Sequence, residues 1–265
     1  MTAARGGDDL NRSVGPKISI ITATFNCVRT VGDCLRSVAE QSWPWREHVV
    51  IDGASRDGTL EVLQQHRDRL AVLISEPDSG IYDALNKGLA LASGEIVGFL
   101  HADDMYAGSD VLARIAAAFS DPAVCAVYGD LEYVRKECPT KVVRRWRSGP
   151  FSRRRLAWGW MPPHPTLYVR REWYRRIGGF DTRYRIAADY FSILQLFSQR
   201  GFVAVYLPEV LVRMRVGGIS NRSLRNILLK SREDLDALRR IGLGAWGGIG
   251  TLAWKNLSKL VQFRI

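Results

Sequence analysis

The chain has no C-x-x-C pair. Its four cysteines (Cys27, Cys34, Cys125 and Cys138) stand at unrelated spacings, which points to reduced cytosolic thiols rather than a disulfide framework or a zinc site. No G-x-G-x-x-G follows any apolar run, and there is no G-x-x-x-x-G-K-[ST]. Their absence argues against a dinucleotide-binding fingerprint and against a P-loop. The first sixteen residues are polar and Gly/Asp-rich, with no visible secretory signal. Internal repeats and low-complexity tracts are missing as well. Residues 241–254, the longest uncharged run near the end, hold five glycines in 14 residues. A span of ~30 Å of hydrocarbon needs roughly 20 residues, so this run is too short to cross a bilayer.

What remains is an ordinary globular composition, with 46% hydrophobic and 25% charged residues in a chain of 265. That length suits one large domain or two small ones. The charge is uneven. Residues 1–134 carry 11 Lys/Arg against 19 Asp/Glu, whereas residues 135–176 carry 13 against 2. Residues 177–221 carry 5 against 3, and residues 222–265 carry 9 against 3, for a net +11 overall. An acidic first half joined to a basic second half implies two chemical tasks in one body. A basic surface fits nucleic acid, an anionic membrane or a phosphate-bearing substrate, or is simply a solvated face.

Apolar strands of four to six residues alternate with helical segments through residue 134. Strands are expected at 17–24, 48–52, 71–75, 95–100 and 123–128, and helices at 28–41, 57–68, 82–92 and 110–119. Such alternation predicts an α/β fold whose mainly parallel sheet is covered by helices on both faces. Ligands of such sheets lie beyond the carboxyl ends of the strands, so the informative residues are those just after each strand. Residues 132–165 break the pattern with Arg-, Trp- and Pro-rich sequence and read as an insertion or long loop. Beyond it, 166–177 reads as strand plus helix, 187–200 as a helix and 202–207 as a last strand. Over 223–241 a helix would place Leu224, Ile227, Leu228, Leu235, Leu238 and Ile241 near one face.

Three segments carry chemistry. In Phe99-Leu100-His101-Ala102-Asp103-Asp104 two adjacent carboxylates end a strand. Like charges so close repel, and a hard cation held by one or two carboxylates and phosphate oxygens removes the conflict; capping of the next helix is the plainer reading. In Asp52-Gly53-Ala54-Ser55-Arg56-Asp57-Gly58-Thr59 a strand ends in a carboxylate and a Gly/Ser turn. It can face a sugar hydroxyl or a base N–H, or serve as turn and N-cap chemistry. The stretch from Glu76 to Gly88 opens a helix whose N-terminus can receive phosphate, with Lys87 one turn further in.

In this order the segments resemble the family 2 glycosyltransferases of the GT-A fold. The resemblance rests on Thr22-Ala23-Thr24-Phe25-Asn26, the D-G-x-S-x-D-G-T turn, Asn86-Lys87-Gly88, Ser93-Gly94-Glu95 and the x-D-D after the fourth strand. It continues through Gly178-Gly179-Phe180-Asp181 to Ala188-Asp189-Tyr190, covering about residues 17–220. The E-P-D-S-G-I-Y-D-A-x-N-K-G stretch looks like a subgroup of bacterial polysaccharide and O-antigen transferases.

The resemblance implies roles residue by residue. Thr22, Thr24 and Asn26 would line the nucleotide pocket, and Asp52 would contact base or ribose. Asp103 and Asp104 would hold Mg²⁺ or Mn²⁺ and the ribose-diphosphate, and Asp189 would be the general base. Two departures stand out. Gly53 follows Asp52 where a second carboxylate is usual, and His101 stands at the usual first D-x-D position. Many relatives have Arg where Leu85 stands, shifting a phosphate contact to Lys87. On the acceptor side, His164 matches a His-x-Thr/Ser element or is structural. Arg215 lies in a Gly-rich 213–220 loop that either closes over donor phosphates or merely connects.

The expected organisation is a flexible segment 1–16, a GT-A domain 17–220 and a helical basic C-terminal extension 221–265. Within the domain, 17–134 would be the nucleotide-sugar half and 135–220 the acceptor half. The expected activity is a metal-dependent, inverting hexosyl- or N-acetylhexosaminyltransferase, using a UDP-, GDP- or dTDP-linked donor and a lipid-linked glycan acceptor. Two rivals are a non-catalytic nucleotide-sugar binding module and a nucleic-acid-binding protein. Ordered carboxylates at strand ends, which repel phosphate, weigh against nucleic acid. Trp246 and Trp254, with Lys255, Lys259 and Arg264, suit contact with an anionic membrane surface or packing on the domain. A cytoplasmic protein, peripheral on the inner face of the cell membrane, is the expected setting.

Overall fold

The computed structural model describes residues 15–217, 224–243, 248 and 250–252. Runs rich in Ile and Val form β1 (Ile18–Thr24), β2 (Arg46–Asp52), β3 (Val72–Ser75) and β4 (Ile96–Phe99). Between them lie α1 (Val31–Ala39), α2 (Thr59–Gln65) and α3 (Ile81–Leu91). The four strands are parallel in the order β3-β2-β1-β4. Register decides what their ends present. Thr24 pairs with Asp52, and Asp52 pairs with Ser75, so three polar side chains finish level at one edge.

The later elements are β5 (Met105–Tyr106), α4 (Val111–Ala118), β6 (Ala126–Val134), β7 (Val142–Trp146), α5 (Arg153–Ala157) and β8 (Tyr168–Arg170). They continue with α6 (Arg171–Ile177), α7 (Ala188–Ser198), β9 (Ala204–Arg215) and α8 (Leu224–Ile241). The nine-stranded sheet runs β3-β2-β1-β4-β8-β6-β9-β5, with β7 on β6. β8 is antiparallel to both neighbours, while β6 and β9 run parallel to each other.

Two expectations are corrected here. The 132–165 segment is not one loop, because β7 and α5 form within it. The last strand does not stop near 207 but runs to Arg215, since β6 supplies a parallel partner as far as Val134. Neither pairing leaves a mark in local periodicity.

Alternation along β1 sends its two faces to different cores. Ile18 and Ile20 pack with residues of α1 and α4, and Ile21 packs with residues of α3, α6 and α7. α8 rests on the latter side through Ala237 and Leu238. Its inward face differs from the expected apolar stripe. Ile227 and Leu228 are exposed, at 46% and 63%, whereas Glu233 is buried. Near the tail, the buried Thr251 donates its hydroxyl to the Ala157 carbonyl at 2.8 Å, so this point of the extension packs on the domain. Trp246, Trp254, Lys255, Lys259, Arg264 and residues 218–220 lie outside the described residues. Among the described residues, no helix is long and apolar enough to cross a membrane.

Candidate active site

The level strand ends create a hydroxyl cradle around Asp52. The Thr24 hydroxyl donates at 2.9 Å, Ser55 donates through its amide at 3.0 Å and its hydroxyl at 2.5 Å, and Ser75 donates at 2.7 Å. Burial pushes the Asp52 carboxyl up, but these donors outweigh it and hold the group below its ordinary range. Two bonds reach each oxygen, filling the roughly four acceptor positions of a carboxylate. Asp52 is fully buried and has no acceptor left for a base or ribose. Asp52 and Thr24 thus brace the turn that follows β2.

Thr22 is fully buried. Its side chain faces α1, not the strand ends, and its hydroxyl pairs with His48 Nε2 at 2.9 Å in the interior. Asn26 sits at the rim with positive φ (48°). It accepts from the Arg56 amide at 2.9 Å, and its own amide donates to the Ser55 hydroxyl at 2.9 Å.

Gly53 shows what occupies the place of the missing second carboxylate. A Cβ there would lie 2.5 Å from Asp78 Oδ2 and 3.3 Å from the Phe25 ring. Only a glycine lets the loop after β3 bring Asp78 this close. Asp78 Oδ1 accepts from the Gly80 amide at 2.9 Å, and among the described residues no donor meets Oδ2. Phe25 is 65% exposed beside it. The signal for this pair was the Gly at 53 and the aspartate two residues before Gly80, and sequence reasoning did not join them. Lys87 braces the same loop. Its ammonium pairs with Glu76 at 2.7 Å and Asp83 at 3.6 Å and donates to the Pro77 carbonyl at 3.3 Å, which engages the cation expected at phosphate.

After β4 the chain turns so that the Asp104 amide bonds the His101 carbonyl at 2.9 Å. Asp103 stays half-exposed, while Asp104 is fully buried, with neither carboxylate oxygen hydrogen-bonded among the described residues. Burial first, and the Asp103 charge second, push the Asp104 carboxyl well above the usual carboxylate range. Asp104 thus lies buried next to the half-exposed Asp103.

Arg215 is buried at the end of β9. Its guanidinium, 3% exposed, donates to the Asp103 carbonyl at 2.9 Å and the Lys136 carbonyl at 3.2 Å and pairs with Asp33. It pins the Asp103 loop to α1 rather than meeting an acceptor.

Asp189 is the second residue of α7 and is half-buried. Its Oδ1 accepts from the Tyr190 amide at 2.8 Å and lies 3.2 Å from the Tyr82 hydroxyl. Tyr82 directs its shorter bond, 2.6 Å, to the Ile186 carbonyl. An aromatic chain joins this corner to the Asp103 loop. His101 and His164 have centroids 6.0 Å apart, His164 stacks on Phe99 at 5.2 Å, and Phe180 stands edge-on to both and stacks on Tyr82. His164 is only 4% exposed and lies inside this aromatic cluster. Burial pushes its pKa down to about 4, against the pull of the Asp189 charge. Sequence reasoning missed Tyr82, although the I-Y-D-A stretch contained it.

Among the described residues, no group of three or more His, Cys, Asp or Glu could hold a metal ion. Of the two carboxylates after β4, Asp103 is the one open to a cation. That donor set fits Mg²⁺ or Mn²⁺ carried largely by diphosphate oxygens and water.

Known proteins share this architecture. A mannosyltransferase from Pyrobaculum calidifontis, solved with GDP-Man and Mn²⁺, superposes with TM-score 0.66 at 22% identity over 94% of this chain and 72% of its own. S. aureus TarS 1–349 in complex with UDP-GlcNAc gives TM-score 0.66 at 20% identity over 85% of this chain and 65% of its own. In sequence, the PGL/p-HBAD biosynthesis glycosyltransferase of Mycobacterium bovis (strain BCG / Pasteur 1173P2) is 33% identical over 224 residues, 81% of this chain and 83% of the relative. Residues 19–179 match the profile of the family described as Glycosyl transferase family 2. With strand-end carboxylates on a helix-covered sheet and this match across more than half its length, the chain belongs to glycosyl transferase family 2.

Proposed function

We propose that this glycosyltransferase moves a sugar from a nucleoside-diphosphate donor to a glycan hydroxyl in a single displacement with inversion. The observation that carries the reading is Asp189. It is half-buried, has one oxygen seated by an amide and a tyrosine hydroxyl, and is linked by the His101–His164–Phe180 stack to the loop that presents Asp103. Asp189 accepts the acceptor hydroxyl's proton as that oxygen attacks the anomeric carbon. The bond from that carbon to the diphosphate oxygen breaks, and no covalent sugar–enzyme intermediate forms. Asp103 is the residue that would hold Mg²⁺ or Mn²⁺, which when bound supplies Lewis-acid stabilisation of the leaving diphosphate. Phe25 offers a face for the base and Asp78 Oδ2 an acceptor for a base N–H.

The test is release of nucleoside diphosphate from a panel of UDP-, GDP- and dTDP-linked sugars, with and without Mn²⁺ or Mg²⁺. Turnover of one donor class in the presence of metal is expected. No release from any donor would sink the reading.

We propose further that the acceptor is lipid-linked, in cell-surface polysaccharide synthesis, and that the protein works peripherally at the anionic inner face of the membrane. The relative named for PGL/p-HBAD biosynthesis and the basic charge of residues 135–265 support this. Much of that charge is nevertheless engaged inside the fold. Arg170 bonds the Val124 carbonyl at 2.7 Å, and the Arg155 guanidinium lies 5.5 Å over the Trp160 ring. Co-sedimentation with vesicles of anionic against neutral lipid, at low and high salt, decides the matter. Salt-sensitive binding to anionic vesicles alone is expected, and its absence at low salt refutes membrane association.

A further inference from the structure

Glu233 belongs to neither the donor pocket nor the base, yet α8 turns it inward. Its Oε1 accepts from the Arg185 amide at 2.9 Å, and its Oε2 accepts from the Ile186 and Ala187 amides, each at 2.9 Å. Three successive N–H groups converging on one point form a concave anion cradle. A carboxylate supplied from a helix 46 to 48 positions away fills it here.

The cradle lies immediately before α7. Ala187 is buried, Ala188 opens the helix, and Asp189 follows. The Ile186 carbonyl points the other way and accepts from the Tyr82 hydroxyl. Glu233 thus grips the N–H groups of this segment and Tyr82 grips a carbonyl, so the backbone entering α7 is held on both sides. The family match ends at residue 179, and both partners of this contact lie beyond it.

We infer that Glu233 is a positioning residue for Asp189, and that α8 is a working part of the catalytic corner rather than an appendage. This rests on the reading of Asp189 as general base. Residues assigned to the donor pocket all precede residue 134, so loss of this contact should affect turnover and spare donor binding.

The experiment uses the full chain and four variants: Glu233→Ala, Glu233→Gln, Asp236→Asn and Asp189→Asn. For each, kcat, donor KM, UDP, GDP and dTDP affinity and thermal midpoint are measured. Asp236→Asn neutralises the carboxylate through which the same helix holds the Tyr184 hydroxyl (2.6 Å) and Arg240 (2.8 Å) without touching the three amides, so it reports on weakened helix docking apart from them. Glu233→Ala is expected to lower kcat about tenfold or more, as displacement of a reacting group does, with KM and nucleotide affinity within about twofold. Glu233→Gln, which keeps one acceptor oxygen, should fall between it and wild type, and Asp236→Asn should keep its kcat.

The inference is overturned if Glu233→Ala turns over like wild type, if Asp236→Asn loses as much, or if nucleotide binding is lost together with kcat. Should Glu233→Ala not fold, Glu233→Gln decides against Asp236→Asn, and equal rates overturn the claim. Loss of turnover in Asp189→Asn without loss in the Glu233 variants defeats this inference alone. Near wild-type turnover in Asp189→Asn defeats the assigned base and this inference together.

Discussion

The Tyr82 hydroxyl lies 3.2 Å from Asp189 Oδ1, although 107 positions separate them in the chain. The contact ties the first turn of α3 to the first turn of α7. It seats one carboxylate oxygen, Oδ1, which also accepts from the Tyr190 amide. Asp189→Asn is expected to fold and to bind donor, but to lose roughly 10²–10⁴-fold in rate, the usual worth of a positioned base. Steady-state release of nucleoside diphosphate checks this, and loss of donor affinity would reassign Asp189 as a donor ligand. Tyr82→Phe should cost about 1 kcal/mol of stability through the bond to the Ile186 carbonyl, measured as a urea midpoint.

Asp103 and Asp104 should separate cleanly. Asp103→Asn is expected to abolish the increase in donor affinity produced by Mn²⁺ or Mg²⁺, because it removes the more open carboxylate of the pair after β4. Asp104→Asn should leave that increase largely intact, since its oxygens lie behind the loop. Calorimetric titration of donor with and without metal distinguishes them. Equal loss in both variants would show that Asp104 turns outward when donor binds.

At the base, Asp78→Ala should weaken binding of the preferred nucleoside diphosphate by about 10- to 100-fold. A hydrogen bond to a charged group is worth about 1.5–3 kcal/mol. Gly53→Ala should weaken it as well, because the added Cβ displaces the Asp78 carboxylate. Unchanged affinity in both variants would remove Asp78 from base recognition.

Stability should fall on acidification in two stages. Burial holds His48 at about 3 and His164 at about 4, both below the ordinary histidine value of 6.5. The unfolded chain takes up protons on them below that value while the folded chain does not. Their contribution is therefore present in full above 6.5 and declines as pH falls towards 4 and then 3. Between pH 6.5 and 5 the loss is about 2 kcal/mol for each.

Glu47 acts lower. Burial raises its carboxyl, but hydrogen bonds from Lys17, Ser19 and Ser93 bring it down to about 2. Its contribution is present above the ordinary 4.5 and is lost as pH falls through 2. Urea midpoints at pH 7, 5 and 3.5, for wild type and His48→Asn, test the first stage. A variant with the same pH slope as wild type would contradict it.

Much of the nucleotide half was legible from the residues alone. Apolar runs of period suited to buried strands, broken by Gly- and Asp-containing turns, placed β1 to β4, α1 and α3 within a few residues of where they lie. The same pattern marked Asp103 at a strand's end, whereas Asp189 was reached only through the family resemblance. Other features depended on distant pairings. Asp52 is saturated only because register sets Thr24 and Ser75 on either side of it. Arg215 is placed where it is because β9 runs on beside β6 as far as Val134. Asn86 Nδ2 and Oδ1 clamp the Phe180 carbonyl and amide, both at 2.8 Å, across 94 positions. Local periodicity records how a segment meets water and its near neighbours. It holds no record of which distant backbone groups will need a partner, and such groups decide where Glu233, held by the 185–187 amides, and Arg215, held by the Asp103 and Lys136 carbonyls, point.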